Sequence, residues 1–250
     1  MVDNSSYINI ARQSGLLKEL SMIANNIANI STTGYRREGA VFTEFVNAHG
    51  NLAGAGNKDY AESSTSIGRL GAHFSDFSVG DMKRTGGTFD LAIDGVGFFS
   101  VDTQAGPRLT RAGNFMTNSE NALVTPMGYP VLDAAGSAIQ IPQGAMSIAI
   151  AGDGTISADG SPVGRVGVFT AEDVNLKRMG DNLWEAVGGA EPLADARILQ
   201  GFLEGSNVNP VNEIARMIEV QRSYEAGQKL LDLENERASK TISAIRQAIK

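Results

Sequence analysis

Apolar residues at seven-residue spacing occupy both ends of this chain, while its middle follows a different pattern. Residues near 5–31 and 209–249 read as long amphipathic helices, and the stretch between about 65 and 205 reads as short strands and glycine turns. An apolar seam only two positions wide per heptad is too narrow to serve as a globular core, so each helix wants a partner helix. The simplest partner for each end is the other end. Copies of the same pair on neighbouring subunits come next, so the pattern points to self-assembly before any chemistry is considered.

In the first segment Leu16, Leu20, Ile23, Ile27 and Ile30 recur at spacings of 4, 3, 4 and 3. Asn25, Asn26 and Asn29 flank that seam and lower the helix propensity. Gly34, after Ser31-Thr32-Thr33, is the expected helix stop because glycine accepts a left-handed turn. An ordinary surface helix on a globular domain is the alternative for this segment, and a helix so short is marginal alone in water. At the other end, Asn209-Pro210 suits a helix start. Met217, Val220, Tyr224, Gly227, Leu231, Ala238, Ile242, Ile245 and Ile249 then follow one seam. Glu225–Lys229 and Glu236–Lys240 are i,i+4 pairs in the favourable order. At 1.5 Å per residue this rod spans about 60 Å, more than a small domain can bury. The spacing therefore predicts that the ends of an isolated chain fray.

Between the helices, residues 35–46 suit an extended arm or a short strand, and 47–66, rich in Gly, Asn, Ala and Ser, suit a linker. From Ile67 onward the signal is β. Phe89, Leu91 and Ile93 alternate with Asp90 and Ala92, Asp94-Gly95 offers a turn, and Val96 to Val101 resumes, which predicts a hairpin. Further turns are expected at Asn118-Ser119, Asp133 to Gly136, Gly152-Asp153-Gly154 and Asp159-Gly160. The expected fold class is α+β: paired long terminal α-helices, coiled-coil-like, plus a β-rich domain of antiparallel strands in a sandwich or irregular barrel. The expected division is 1–46 (helix and arm), 47–66 (linker), 67–205 (β-rich domain) and 206–250 (second helix).

The net charge of −7 is concentrated in the middle, about −9 over 41–204, with each end near +1. Near-neutral ends can pack on copies of themselves while an acidic body stays soluble and repels nucleic acid. No basic stripe with interleaved aromatics supports nucleic-acid binding. Cysteine is absent, which removes disulfides, thiolate metal sites and thiol nucleophiles. No apolar run is long enough to span a membrane, and the first residues do not show the pattern of a cleavable secretory signal.

Chemistry finds little support. The histidines are His49, in the expected linker, and His73, for which Asp76 or Asp81 could act as orienter, with no nucleophile motif nearby. Ser63 to Ser66 lie in low-complexity sequence. Gly95-Val96-Gly97 lacks the third glycine and the helix of a phosphate loop. Asp153 and Asp159 fit paired turns better than a calcium loop. No catalytic residue, cofactor or metal is expected.

Three stretches resemble a known family. Ile23 to Arg37, reading IANNIANISTTGYRR, is similar to the N-terminal signature of bacterial flagellar rod, hook and hook-associated proteins. Thr85 to Val101, TGGTFDLAIDGVGFFSV, resembles the opening of that family's β domain. Glu204 to Val211, EGSNVNPV, with Ile218 to Glu225, IEVQRSYE, resembles its C-terminal helix. Asp153 to Ile156, Val163 to Phe169 and Gly180 to Trp184 look more like the proximal-rod than the distal-rod class.

The resemblance implies an axial structural protein of the basal-body rod, which crosses the periplasm. It implies export through the flagellum's own apparatus without a cleavable signal, and partners that are other rod proteins and copies of the chain. Its terminal helices would pack into a tube wall with the β domain outside. The residues expected at subunit contacts are Leu16, Leu20, Ile23, Asn26, Ile27, Asn29 and Ile30 on the first helix. On the second they are Met217, Val220, Tyr224, Leu231, Ala238, Ile242, Ile245 and Ile249. From another class, an exported cell-wall glycan hydrolase would draw its paired carboxylates from Asp90 and Asp94, which turn capping also explains.

Overall fold

The computed structural model describes residues 4–48, 64–172 and 175–248, with side chains described for 9–41, 73–172 and 175–247. Helix α1 (Asn4–Ala28) opens the chain and α2 (Pro210–Ala248) closes it. Between them run β1 (Glu38–Ala48), β2 (Ser64–Ser75), β3 (Met82–Arg84), β4 (Leu91–Ile93), β5 (Phe98–Thr103) and β6 (Gly106–Thr110). Next come β7 (Met116–Thr117), β8 (Leu123–Val124), β9 (Ile148–Ile150), β10 (Thr155–Ala158), β11 (Ser161–Arg165) and β12 (Val168–Thr170). The last strands are β13 (Leu176–Gly180), β14 (Leu183–Ala186), β15 (Glu191–Pro192), β16 (Ile198–Gln200) and β17 (Phe202–Glu204). The architecture is α+β, and every strand pair is antiparallel.

Contacts divide the chain into two compact units: the described parts of Met1–Ile27, Glu38–Ser75 and Pro210–Lys250 form one, and Ala28–Arg37 with Asp76–Asn209 form the other. This cuts across the linear division read from the sequence. Of the two readings of residues 35–46, the strand forms: β1 pairs with β2 from Glu38↔Ser75 to Ala48↔Ser64, with a bulge at Val41/Phe42. That pairing takes residues 67–75 into the helical unit. The ends of the expected linker, Asn47-Ala48 and Ser64 to Ser66, belong to the same ribbon, and 49–63 lie outside the described residues.

The β unit is built on a six-stranded sheet of order β13-β14-β6-β5-β12-β15. Alternation along its strands makes both faces apolar. Phe99, Val101, Val168 and Leu183 enter the main core with Leu91, Ile93, Leu123, Ile156 and Ile198, while Phe98, Leu109 and Trp184 pack on the other face with Phe77 and Phe169. Smaller ladders, β11-β10-β9, β16-β4, β17-β3 and β7-β8, complete the unit. The sheet is open, ending in charged β13 and proline-containing β15, both poor templates for pairing with another chain.

The expected turns form: Asn118 Oδ1 accepts from the Glu120 and Ala122 amides, Asp133 Oδ1 from those of Ala135 and Ser137, and Asp153 Oδ1 from that of Thr155. The hairpin across Asp94-Gly95 does not. The chain does turn there, with φ of +116° at Gly95 and +120° at Gly97, but β4 pairs with β16 and β5 pairs with β6 and β12. Instead of closing a ladder, the segment wraps the buried Arg111 guanidinium, which donates to the carbonyls of Ile93, Gly95 and Gly97, while each flanking strand takes its partners elsewhere in the sequence.

Candidate assembly site

The two helices of the first unit meet through the residues their periodicity selects. Leu16, Ile23 and Val220 are buried together, with Leu20, Ile27, Met217 and Tyr224 packed against them. Three polar ties run beside this seam. Gln13 Nε2 donates to the Tyr224 carbonyl at 3.0 Å, Arg216 meets Glu19 at 2.7 Å, and Asn26 Nδ2 donates to Glu213 Oε2 at 3.1 Å. Positions rise along α1 as they fall along α2, so the helices are antiparallel. Around Arg216, burial opposes the charge, but hydrogen bonds and charge from Glu19 and Glu219 prevail and raise its pKa.

Asn26 does more than interrupt a flank. It is buried, donates to the Glu38 carbonyl (2.8 Å) and accepts from the Glu38 amide (3.0 Å), which fastens the β1–β2 ribbon to the helix pair. Asn29 lies just past the end of α1, where its Oδ1 accepts from the Thr32 hydroxyl at 3.0 Å and its carbonyl from the Thr32 amide. Ile30 and Leu231 are half-buried. Beyond Glu234 every described residue of α2 through Gln247 is exposed, including Ala238, Ile242 (64%) and Ile245 (55%). Ile249 lies outside the described residues. The structure thus brings the first half of the expected seam together within one chain and leaves the second half uncovered. Other large apolar residues, Val211, Ile214 and Ile218 on α2 and, separately, Ile10 and Leu17 on α1, are also exposed. The heptad reading missed them because these residues fall off the a/d positions, although their own i, i+3, i+7 spacing marks them.

The second unit holds a buried ionic knot that sequence reasoning also missed. Glu204 (1% exposed) lies between Arg36 and Arg111, each 2% exposed, at 2.6 and 2.5 Å. Its Oε1 also accepts from the Gly80 amide, and Arg36 donates to the Ser78 carbonyl. Burial pushes the Arg111 pKa down, and the Glu204 carboxylate opposes that shift. The three family-like stretches converge here. Gly34 and Tyr35 come from the first, the Gly95 and Gly97 carbonyls from the second, and Glu204 and Asn207 from the third. The Gly34 amide donates to the Glu204 carbonyl and the Arg37 amide to Asn207 Oδ1.

Gly34 does not stop α1, which ends six residues earlier at Ala28; what requires a glycine there is a close approach of two backbones. At φ +67° its missing Cβ would lie 2.5 Å from backbone atoms of Arg111 and Ala112, which cannot yield. Gly34→Ala is expected to destabilise this unit by about 2–3 kcal/mol through strain and overlap. The lone tryptophan, Trp184, is buried in the same unit, so a thermal melt followed by its fluorescence measures the change.

The candidate catalytic groups have structural partners. Asp90 accepts from the Thr85 hydroxyl at 2.5 Å, and Asp94 is exposed and 3.9 Å from Arg197. His73 Nδ1 contacts Met22 Sδ at 3.0 Å, and His49 lies outside the described residues. Among the described residues no cluster of His, Asp and Glu could hold a metal ion, and no helix is long and apolar enough to cross a membrane.

Comparison with known proteins returns to the same three stretches. Residues 8–36 match a family model described as flagella basal body rod protein, 92–158 the D1 domain of flagellar hook protein FlgE/F/G, and 199–244 the C-terminal part of flagellar basal body rod FlgEFG protein. The flagellar basal-body rod protein FlgF of Caulobacter vibrioides is 40% identical over 92% of this chain and 93% of its own length. FlgF of Rhizobium meliloti is 34% identical over 88% of each chain. FlgG of Bacillus subtilis is 34% identical over 93% of this chain and 95% of its own.

Proposed function

This chain belongs to the flagellar basal-body rod protein family, and we propose that it builds the rod by packing the uncovered seam of α2 against neighbouring subunits. It is a structural subunit of the bacterial flagellar basal body that assembles with other rod proteins. The observation that carries the packing is the seam itself. The face of α2 that α1 covers at Met217, Val220 and Tyr224 continues past the reach of α1 through Ala238, Ile242 and Ile245. Apolar helix faces of this kind associate because burying each large aliphatic side chain contributes about 1.5–3 kcal/mol, offset by the entropy of ordering the helix.

Likeness to the two FlgF proteins favours the proximal-rod role, with the distal-rod role of FlgG as the alternative. Self-association beside contact with other rod proteins, export through the flagellar apparatus, and a non-enzymatic role complete the proposal. The expected contact set is the α1 residues Leu16, Leu20, Ile23, Asn26, Ile27, Asn29 and Ile30, whose first task is to shape the pair, and the α2 residues from Met217 to Ile249.

Complementation tests the assignment. Expression of this chain should restore motility to cells lacking FlgF and not to cells lacking FlgG. Rescue of only the second strain would assign the distal rod, and rescue of neither, with the protein absent from purified basal bodies, would sink the proposal.

A further inference from the structure

Most of the apolar seam does not fix how the helices are aligned. Its residues repeat every seven positions, Leu16 to Ile23 to Ile30 and Leu20 to Ile27 on α1, and Met217 to Tyr224 to Leu231 on α2. A slip of one heptad would again set apolar against apolar along these rows, losing only the contact at Val220, whose heptad equivalents are Glu213 and Gly227, while moving α2 by about 10 Å along α1. Something less repetitive must choose.

Gly227 is the one glycine in α2, at a position where alanine would make a better helix. The space it leaves open is filled by Gln13. A Cβ on Gly227 would lie 2.0 Å from Gln13 Nε2 and 3.1 Å from its Cδ. From that notch Nε2 reaches the Tyr224 carbonyl at 3.0 Å. Gln13 is itself buried, and its Oε1 has no hydrogen-bond partner. A buried amide satisfied at one end only adds little net stability. Polar side chains retained in a helix seam at such a cost are best known for fixing register.

We propose that Gln13 seated in the Gly227 notch is the register key of the helix pair, a specificity determinant that fixes how far α2 extends beyond α1. A one-heptad slip in the direction that sets Ile27 against Met217 would bring Gln13 from Gly227 to Glu234, where there is no notch. A slip the other way would bring it to Val220. The Arg216–Glu19 and Asn26–Glu213 ties lie on the same alignment and support it. The consequence for assembly rests on the rod reading: the key sets the length of seam, Ala238 to Ile245, that a neighbour can cover. The key itself does not depend on that reading.

A chain without native cysteine allows register to be read by disulfide formation in the purified full-length protein. Leu20→Cys with Met217→Cys reports the native alignment, and Ile27→Cys with Met217→Cys reports the slip. In the parent chain the first pair should oxidise readily and the second only in trace. Adding Gln13→Met, which keeps the volume and removes both polar atoms, should raise the slipped yield at least fivefold while the melting temperature stays near the parent's. Gly227→Ala should raise it too, although helix propensity alone predicts a tighter pair. Unchanged slipped yield in both variants would overturn the key. Slipped variants that still enter basal bodies normally would overturn its consequence for assembly. Failure of the unmodified chain to enter them would count against the rod reading instead.

Discussion

Glu204→Leu is expected to destabilise the β unit by about 3–5 kcal/mol, because it leaves two buried guanidiniums facing each other without a counter-charge. Arg36 and Arg111 are each 2% exposed, so neither can recover its hydration without opening the fold. The Gly80 amide loses its acceptor as well. At about 2–4 °C per kcal/mol for a chain of this size, the Trp184 fluorescence melt should fall by roughly 6–20 °C. Asp94→Ala serves as the control. It removes only an exposed pair with Arg197 at 3.9 Å and should cost less than about 1 kcal/mol. A Glu204→Leu chain that melts with the parent would mean that the guanidiniums are satisfied by the backbone carbonyls alone, and that the carboxylate is dispensable.

Ile242→Asp is expected to leave the free chain folded and to abolish its incorporation into basal bodies. Ile242 is 64% exposed and belongs to none of the three apolar clusters, so the aspartate meets water in the isolated chain and costs about the difference in helix propensity, a few tenths of a kcal/mol. In an assembled seam the same carboxylate would be buried without a partner, at a cost of several kcal/mol. Lys229→Ala on the exposed side of α2 should cost a few tenths of a kcal/mol and leave assembly intact. Motility, basal-body content and the Trp184 melt of the two variants separate the cases. Normal incorporation of Ile242→Asp, or its loss together with an unfolded β unit, would place the end of α2 somewhere other than a subunit seam.

The two units were not equally legible. Leu16, Ile23, Val220, Met217 and Tyr224 could be grouped from spacing alone and do pack together, because a heptad is a local pattern and each helix carries its own copy. The turn at Asp94-Gly95 was legible for the same reason, since φ > 0 is a property of the residue that adopts it. The partner of the strand before it was not. Period-two alternation shows that Leu91 and Ile93 belong to a strand, and β16, a hundred residues on, is indistinguishable from β5 as a neighbour by that signal. Where the chain divides into units was likewise hidden, because the pairing of β1 with β2 spans a stretch whose composition resembles a linker.

The sequence by itself determined two long terminal helices with matching seams, an antiparallel β region punctuated by glycine and aspartate turns, and the absence of any thiol chemistry, all of them consequences of local periodicity or residue type. Only the tertiary structure decided what joins distant positions. Glu204 finds Arg36 across 168 residues, and Gln13, seated in the Gly227 notch, finds the Tyr224 carbonyl across 211. An isolated arginine, glutamate or glutamine looks like solvated surface in a sequence. Its role appears only when the fold removes water around it and leaves one partner within hydrogen-bond reach.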